Sequence, residues 1–168
     1  DLITQRNISH PIKIKVKSYD KTFKVEKGKN PLFSPKIDIY NNEEIVETII
    51  SNSAEFDKHT IHNIFYGRGR GIHSTQSFTG IYLKELINKY FMRTQKAIQE
   101  GIFVIAADDG YRTVFTYSEV FNRNDQSEVL LVCNPKLTHK GIFRIIPSCD
   151  FFSDRAVKGI NAIFYSEN

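Results

Sequence analysis

Three histidines, His59, His62 and His73, stand close together in the sequence. His59 and His62 are three apart, a spacing that on a helix puts both imidazoles on one face and makes half a metal site. Asp57 is the nearest carboxylate, and no Cys or carboxylate pair completes a tetrahedral set, so ordinary hydrogen-bonded histidines are the default reading. Gly67-Arg68-Gly69-Arg70-Gly71 offers other chemistry. Glycines let backbone N–H groups approach an anion, and Arg68 and Arg70 add charge, so the stretch reads as a phosphate-cradling loop. It lacks the Lys-Ser/Thr ending of a nucleotide P-loop, and a flexible surface loop is the plainer reading. Asp108 and Asp109 make an acidic pair of the kind that does acid–base work when their environments separate their pKa values. The Asp-Gly turn ending at Gly110 explains them without catalysis. Tyr111 then either points into a pocket or packs a strand end. No serine sits in a Gly-x-Ser-x-Gly elbow. Cys133 and Cys149 either close one loop, as in an exported protein, or are two buried thiols.

The elements that must position these residues are short. Ile12–Lys17 alternates strictly and predicts a strand, with a turn at Tyr19-Asp20-Lys21 and a partner strand over Thr22–Glu26. Gly28–Pro35 reads as a loop and Ile37–Tyr40 as a strand. Asn42 is placed to cap a short helix over Glu43–Ile50, with acidic residues in its first turn. Ser51–Thr60 is polar and irregular, and Ile61–Tyr66 is a short strand. Ile81, Leu83, Leu86, Ile87, Tyr90 and Phe91 recur at helical spacing and predict one helix over roughly 81–92. Strands are expected over Ile102–Ala106, Arg112–Phe115, Val129–Cys133, Ile142–Ile146 and Val157–Tyr165, with a helical turn over Tyr117–Phe121. Many short strands with few helices predict an α+β fold with a mixed-sheet core in a single domain.

The chain has 168 residues, enough for one domain with a real core, and 40% apolar with 25% charged residues is an ordinary globular balance. No apolar run approaches the ~20 residues of a membrane span. The net charge of +4, from 23 basic and 19 acidic residues, favours anionic partners in general or is simply a solvated, mildly basic surface. The first residue is Asp1, as expected of a processed or trimmed chain.

Four stretches carry a family likeness. Phe78-Thr79-Gly80-Ile81-Tyr82-Leu83-Lys84-Glu85-Leu86 looks like an aromatic-x-Gly-Val-x-Leu-x-x-Leu lead-in to a helix. Ala107-Asp108-Asp109-Gly110-Tyr111 looks like an Asp-Gly-Tyr turn. Gly141-Ile142-Phe143-Arg144-Ile145-Ile146-Pro147 looks like Gly-x-Pro-Leu-Arg-Leu-Val-Pro, and Arg155-Ala156-Val157-Lys158-Gly159-Ile160 looks like Arg-x-Val-Lys-Trp-Leu. In order and spacing, over about residues 78–166, they resemble the molybdopterin-binding domain of the sulfite oxidase family. The resemblance implies that fold for residues 61–168, with residues 1–60 as a β-rich extension or cap. It implies that Arg144, Arg155 and Lys158 lie near a pterin phosphate, which arginine forks and an ammonium hold through charge-assisted bonds; a surface salt bridge or a solvated charge is the plainer reading of each. The family takes a protein thiolate as its molybdenum ligand, a few tens of residues before the helix lead-in, and residues 40–77 contain no Cys. Gly159 stands where the family has an aromatic, and Phe143 where it has a proline.

The expectation is therefore a non-catalytic ligand-binding or interaction module, with no cofactor firmly assigned and molybdopterin as the implied candidate. Its basic cleft would hold a pterin-like or phosphorylated small molecule through Arg68, Arg70, Arg144, Arg155 and Lys158, with His73 and Tyr111 at its edge. One alternative is a molybdenum-cofactor oxidoreductase with a non-Cys ligand such as His73. Another is a protein–protein module whose cleft is filled by side chains. Nucleic acid is not an expected partner. Small stand-alone proteins resembling this family are often exported by bacteria, which with the Met-less start raises the expectation of a periplasmic or exported location.

Overall fold

The computed structural model describes residues 10–14, 16, 23–50, 57–67 and 71–167. Among them the chain forms one strand-rich, mixed α+β fold with two sheets and three short α-helices. Strands β1 (Lys36–Asn41) and β2 (Glu44–Ile50) form a hairpin, followed by the long hairpin β3 (His59–Gly67) and β4 (Gly71–Tyr82). Helices α1 (Leu83–Ile87) and α2 (Gln95–Glu100) lead to β5 (Gly101–Ala107) and β6 (Arg112–Thr116). Helix α3 (Tyr117–Phe121), β7 (Val129–Cys133), β8 (Phe143–Pro147) and β9 (Ile160–Glu167) complete the chain.

The larger sheet has the order β2-β1-β9-β5-β6 and the smaller β3-β4-β7-β8. All pairings are antiparallel except β1 with β9. One core joins them. Ile37, Ile39, Phe103, Ile105 and Ile163 come from the larger sheet, and Leu131, Phe143 and Ile145 from the smaller. The helices add Leu83, Leu86, Ala97, Tyr117 and Val120. Fully buried side chains the size of Phe103 or Phe143 each stabilise such a core by about 3–5 kcal/mol relative to Ala.

Three expectations change. Among the described residues, 12–14, 16 and 23–26 are not in strands. Ile12, Ile14 and Val16 are bare to solvent: the alternation is real, but nothing lies beneath its apolar side, and an isolated hairpin is marginal in water. The helix expected over Glu43–Ile50 is strand β2. Ile45, Val46, Thr48, Ile49 and Ile50 are β-branched and fit a pleated surface, while Asn42 takes φ +54° in the two-residue turn from β1. The helix expected over 81–92 shrinks to Leu83–Ile87. Ile81 and Tyr82 belong to β4, where they pair with Leu131 and Leu130. Beyond the helix, Thr94 opens the unanticipated α2 by accepting from the Ala97 N–H at 3.0 Å.

Candidate functional site

Strand β8 alternates. Phe143 and Ile145 enter the core, so Arg144 and Ile146 face the other side of the smaller sheet. That far side carries a second apolar cluster, with Leu130 and Ile146 packed by Ile61, Phe78, Tyr82, Val132 and Ala156. The Arg144 guanidinium carbon stands 5.2 Å from the centroid of the Phe78 ring, within cation–π range. Its Nε is buried and, among the described residues, has no hydrogen-bond partner. Leaving a buried donor unmade costs about 1–3 kcal/mol.

The segment before β9 runs antiparallel to β8. Ile145 N donates to the Val157 carbonyl at 2.9 Å, and Gly159 N donates to the Phe143 carbonyl at 2.8 Å. These two bonds bracket Arg144 and Lys158, which form an antiparallel bridge between them. In this narrow type of pair the Cα atoms lie about 4.5 Å apart with both side chains on one face. Two cations are thus directly opposed. The preceding loop brings a third. Gly141 and Gly159 adopt φ of +82° and +69°, and a Cβ on Gly141 would overlap the Gly159 backbone. That crossing sets Lys140 near Lys158, whose side chain is exposed overall; partial desolvation of its ammonium lowers the pKa first, and Arg144 and then Lys140 push it down further. Burial likewise lowers Arg144. Among the described residues, no carboxylate pairs with Arg144, Lys158 or Lys140.

Arg155 is placed differently. Its Nε and Nη2 each lie 2.6 Å from the Asp150 carboxylate, and its Nη1 lies 2.9 Å from Glu119. Its guanidinium sits 4.5 Å from the centroid of Phe115. Burial pulls its pKa down, but the two carboxylates outweigh that and hold it above the ordinary value. Glu119 also closes the capping box of α3 with Thr116, so Arg155 ties the turn at Ser153–Arg155 to that helix. The Tyr111 hydroxyl donates to the Asp154 carbonyl at 2.6 Å. Tyr111 lines a cavity of about 310 Å³ with Leu32, Asp109, Asp154 and Lys158. Lys158 therefore also lines this cavity, where among the described residues it is the one cation against two aspartates.

Arg68 and Arg70 lie outside the described residues, as does the side chain of His73, whose backbone is in β4. His59 and His62 are on strand β3, where a three-residue spacing puts side chains on opposite faces. His59 stacks on Tyr82 at 3.9 Å and meets Glu85 at 3.1 Å, while His62 bonds Ser77 at 2.9 Å. Among the described residues, no group of three His, Cys, Asp or Glu side chains is placed to hold a metal ion. Asp108 accepts from the Phe33 N–H at 2.9 Å and pairs with Lys29 at 3.2 Å; Asp109 accepts from the Tyr111 N–H at 2.9 Å. Both act as turn residues. Cys133 and Cys149 are unbonded to each other, and burial raises both thiols.

Of the expected cations, the fold brings Arg144 and Lys158 together and commits Arg155 to carboxylates. Lys140 escaped the sequence reading. Its signal was the Gly141 that follows it, a residue needed where two backbones cross. No protein-family model matches the chain, and no curated protein matches it in sequence.

Proposed function

We propose that the chain is a non-catalytic anion-binding module that holds the phosphate of a small phosphorylated or pterin-like molecule between Arg144, Lys158 and Lys140. One observation carries the reading. Arg144 and Lys158 are opposed across a narrow antiparallel pair, with the Arg144 Nε buried and unpartnered. Like charges directly opposite in a sheet are destabilising. A bound anion reverses that term, and the charge-assisted bonds it makes to the two cations are the strong kind.

A sulfite-oxidase-type fold and a pterin ligand are the finer form of this proposal. These residues suit the phosphate end of such a cofactor. Its metal end lacks a matching ligand: residues 40–77, where that family's thiolate would stand, contain no Cys.

The test is a titration with inorganic phosphate and pyrophosphate followed by amide chemical shifts. Saturable shifts are expected at Lys140, Arg144, Lys158 and Gly159, weakening about tenfold in Lys158→Met. Shifts confined to other surfaces, or a Lys158→Met protein that binds as tightly as the parent, would falsify the proposal.

A further inference from the structure

A second cavity, of about 570 Å³, opens at the far end of the larger sheet and shares no lining residue with the basic pair. It exists because β1 and β9 run parallel and finish side by side, with Asn41 opposite Tyr165. Asn42 N then donates to the Tyr165 carbonyl at 3.0 Å, which fixes the turn after β1 against the end of β9. Asn41, Asn42, Tyr165, Glu167, Met92 and Lys96 are among the residues that line it. The volume lies in the ~300–1,000 Å³ range of small-molecule sites.

The charges decide the class of ligand. The Tyr165 hydroxyl donates to one Glu167 oxygen at 2.8 Å, and Lys96 stands 3.5 Å from the other. This pair cancels. An anion must face Glu167, a cation must face Lys96, and a zwitterion must pull the two apart. A neutral molecule with several hydroxyls meets no such penalty. Each hydroxyl donates to Glu167 or to an asparagine carbonyl and accepts from Lys96 or an asparagine amide. The Asn42 amide lies 3.5 Å from the Asn41 carbonyl, a long contact that leaves capacity on both. Met92, 79% exposed, supplies an apolar surface for the C–H face of such a ligand.

We propose that this pocket binds a small neutral polyol of monosaccharide size. The test is saturation-transfer NMR on the full chain with D-glucose, D-galactose and myo-inositol as probes, and glycine and inorganic phosphate as charged competitors. At least one of the three polyols should show saturation transfer and shift the amides of Asn42, Tyr165 and Glu167. Lys96→Ala and Glu167→Gln should each weaken that binding about tenfold. Gln keeps an acceptor for the Tyr165 hydroxyl, so the second variant preserves the wall. Lys158→Met should leave polyol binding unchanged, which separates this site from the basic pair. No transfer from any of the three, competition by glycine or phosphate, or binding indifferent to both variants would overturn the proposal.

Discussion

Replacing Lys158 with Met should stabilise the ligand-free protein at low ionic strength. Met keeps most of the length and apolar stem of Lys and removes only the charge opposed to Arg144. For unit charges ~5–6 Å apart, effective dielectrics of ~80 to ~20 give a repulsion of roughly 0.7–3 kcal/mol. Lys158 is exposed, so the low end applies, and roughly 0.5–1 kcal/mol matches measured cross-strand terms. For a chain of this size about 1 kcal/mol moves Tm by ~2–4 °C, so a rise of roughly 1–4 °C is expected. The rise should shrink toward 0.1 M salt, where the screening length falls to about 10 Å. Phosphate adds the second arm. At about ten times its Kd a ligand stabilises by roughly 1.4 kcal/mol, which lifts the parent Tm by ~3–6 °C, whereas a tenfold weaker Lys158→Met gains roughly 0.4 kcal/mol, or ~1–2 °C. Calorimetric melts in a zwitterionic buffer, with and without phosphate, measure both arms. A Lys158→Met protein that melts lower at low salt, or phosphate shifts equal in both proteins, would refute the electrostatic reasoning.

Three further outcomes are expected. Arg155→Met should destabilise by about 2–4 kcal/mol in denaturant titration, because it strands the partly buried carboxylates of Asp150 and Glu119; a loss under about 0.5 kcal/mol would mean that the fork is ornamental. Gly141→Ala should be more damaging than a surface substitution, by over about 2 kcal/mol, since it combines φ +82° with overlap on the Gly159 backbone; an unchanged melting curve would refute the crossing. Carbon-13 NMR titration should find the Lys158 ammonium below its ordinary value of about 10.4, and added phosphate should raise it. In the window between the folded value and the ordinary one, the unfolded chain binds more protons, so this residue makes stability rise with pH there; below the window both states are charged and the full penalty is present. A titration at the ordinary value would remove that contribution.

Much of the fold was legible because its signals were local. Ile102–Ala106 reads as a buried run and forms the middle of β5, which lies between β9 and β6 in the sheet. Arg112–Phe115 shows its alternation in β6, where Thr113 and Phe115 are buried and Val114 is exposed. The errors came where local signals conflicted. Glu43, Glu44 and Glu47 favour a helix start after Asn42, but pairing of Ile49 with Ile37 buries both side chains, and tertiary packing decided the matter. Ile81 fits the period of the helix that follows, yet it pairs with Leu131 of β7. The site was legible only in its parts. Arg144 and Lys158 could be named, but their opposition depends on strand register across residues 141–159, which no local pattern encodes. Gly159 looked like a departure where an aromatic was expected. In the fold it holds φ +69° against Leu32, and a bulky residue there would meet that side chain at once.

Arg144 and Arg155 show why residue type alone could not separate a guanidinium left without a carboxylate from one committed to the fold. Both stood in stretches where a family resemblance alone raised the expectation of a phosphate, and both guanidinium groups lie over a phenylalanine ring. Their electrostatic surroundings are opposite. Arg155 meets two carboxylates, so its pKa rises and its donors are used inside the fold. Arg144 meets no carboxylate among the described residues, its pKa falls with burial, and it faces a second cation. A satisfied guanidinium must break internal bonds before it can grip a ligand, at a cost comparable to what the ligand returns. Arg144 has no such bonds to break, and an anion placed between it and Lys158 removes a repulsion that the empty fold carries. Under the proposed function, preorganisation resides in the unfavourable term: the backbone crossing at Gly141 and Gly159 holds the cations together, and a bound anion would gain what that arrangement costs the free protein.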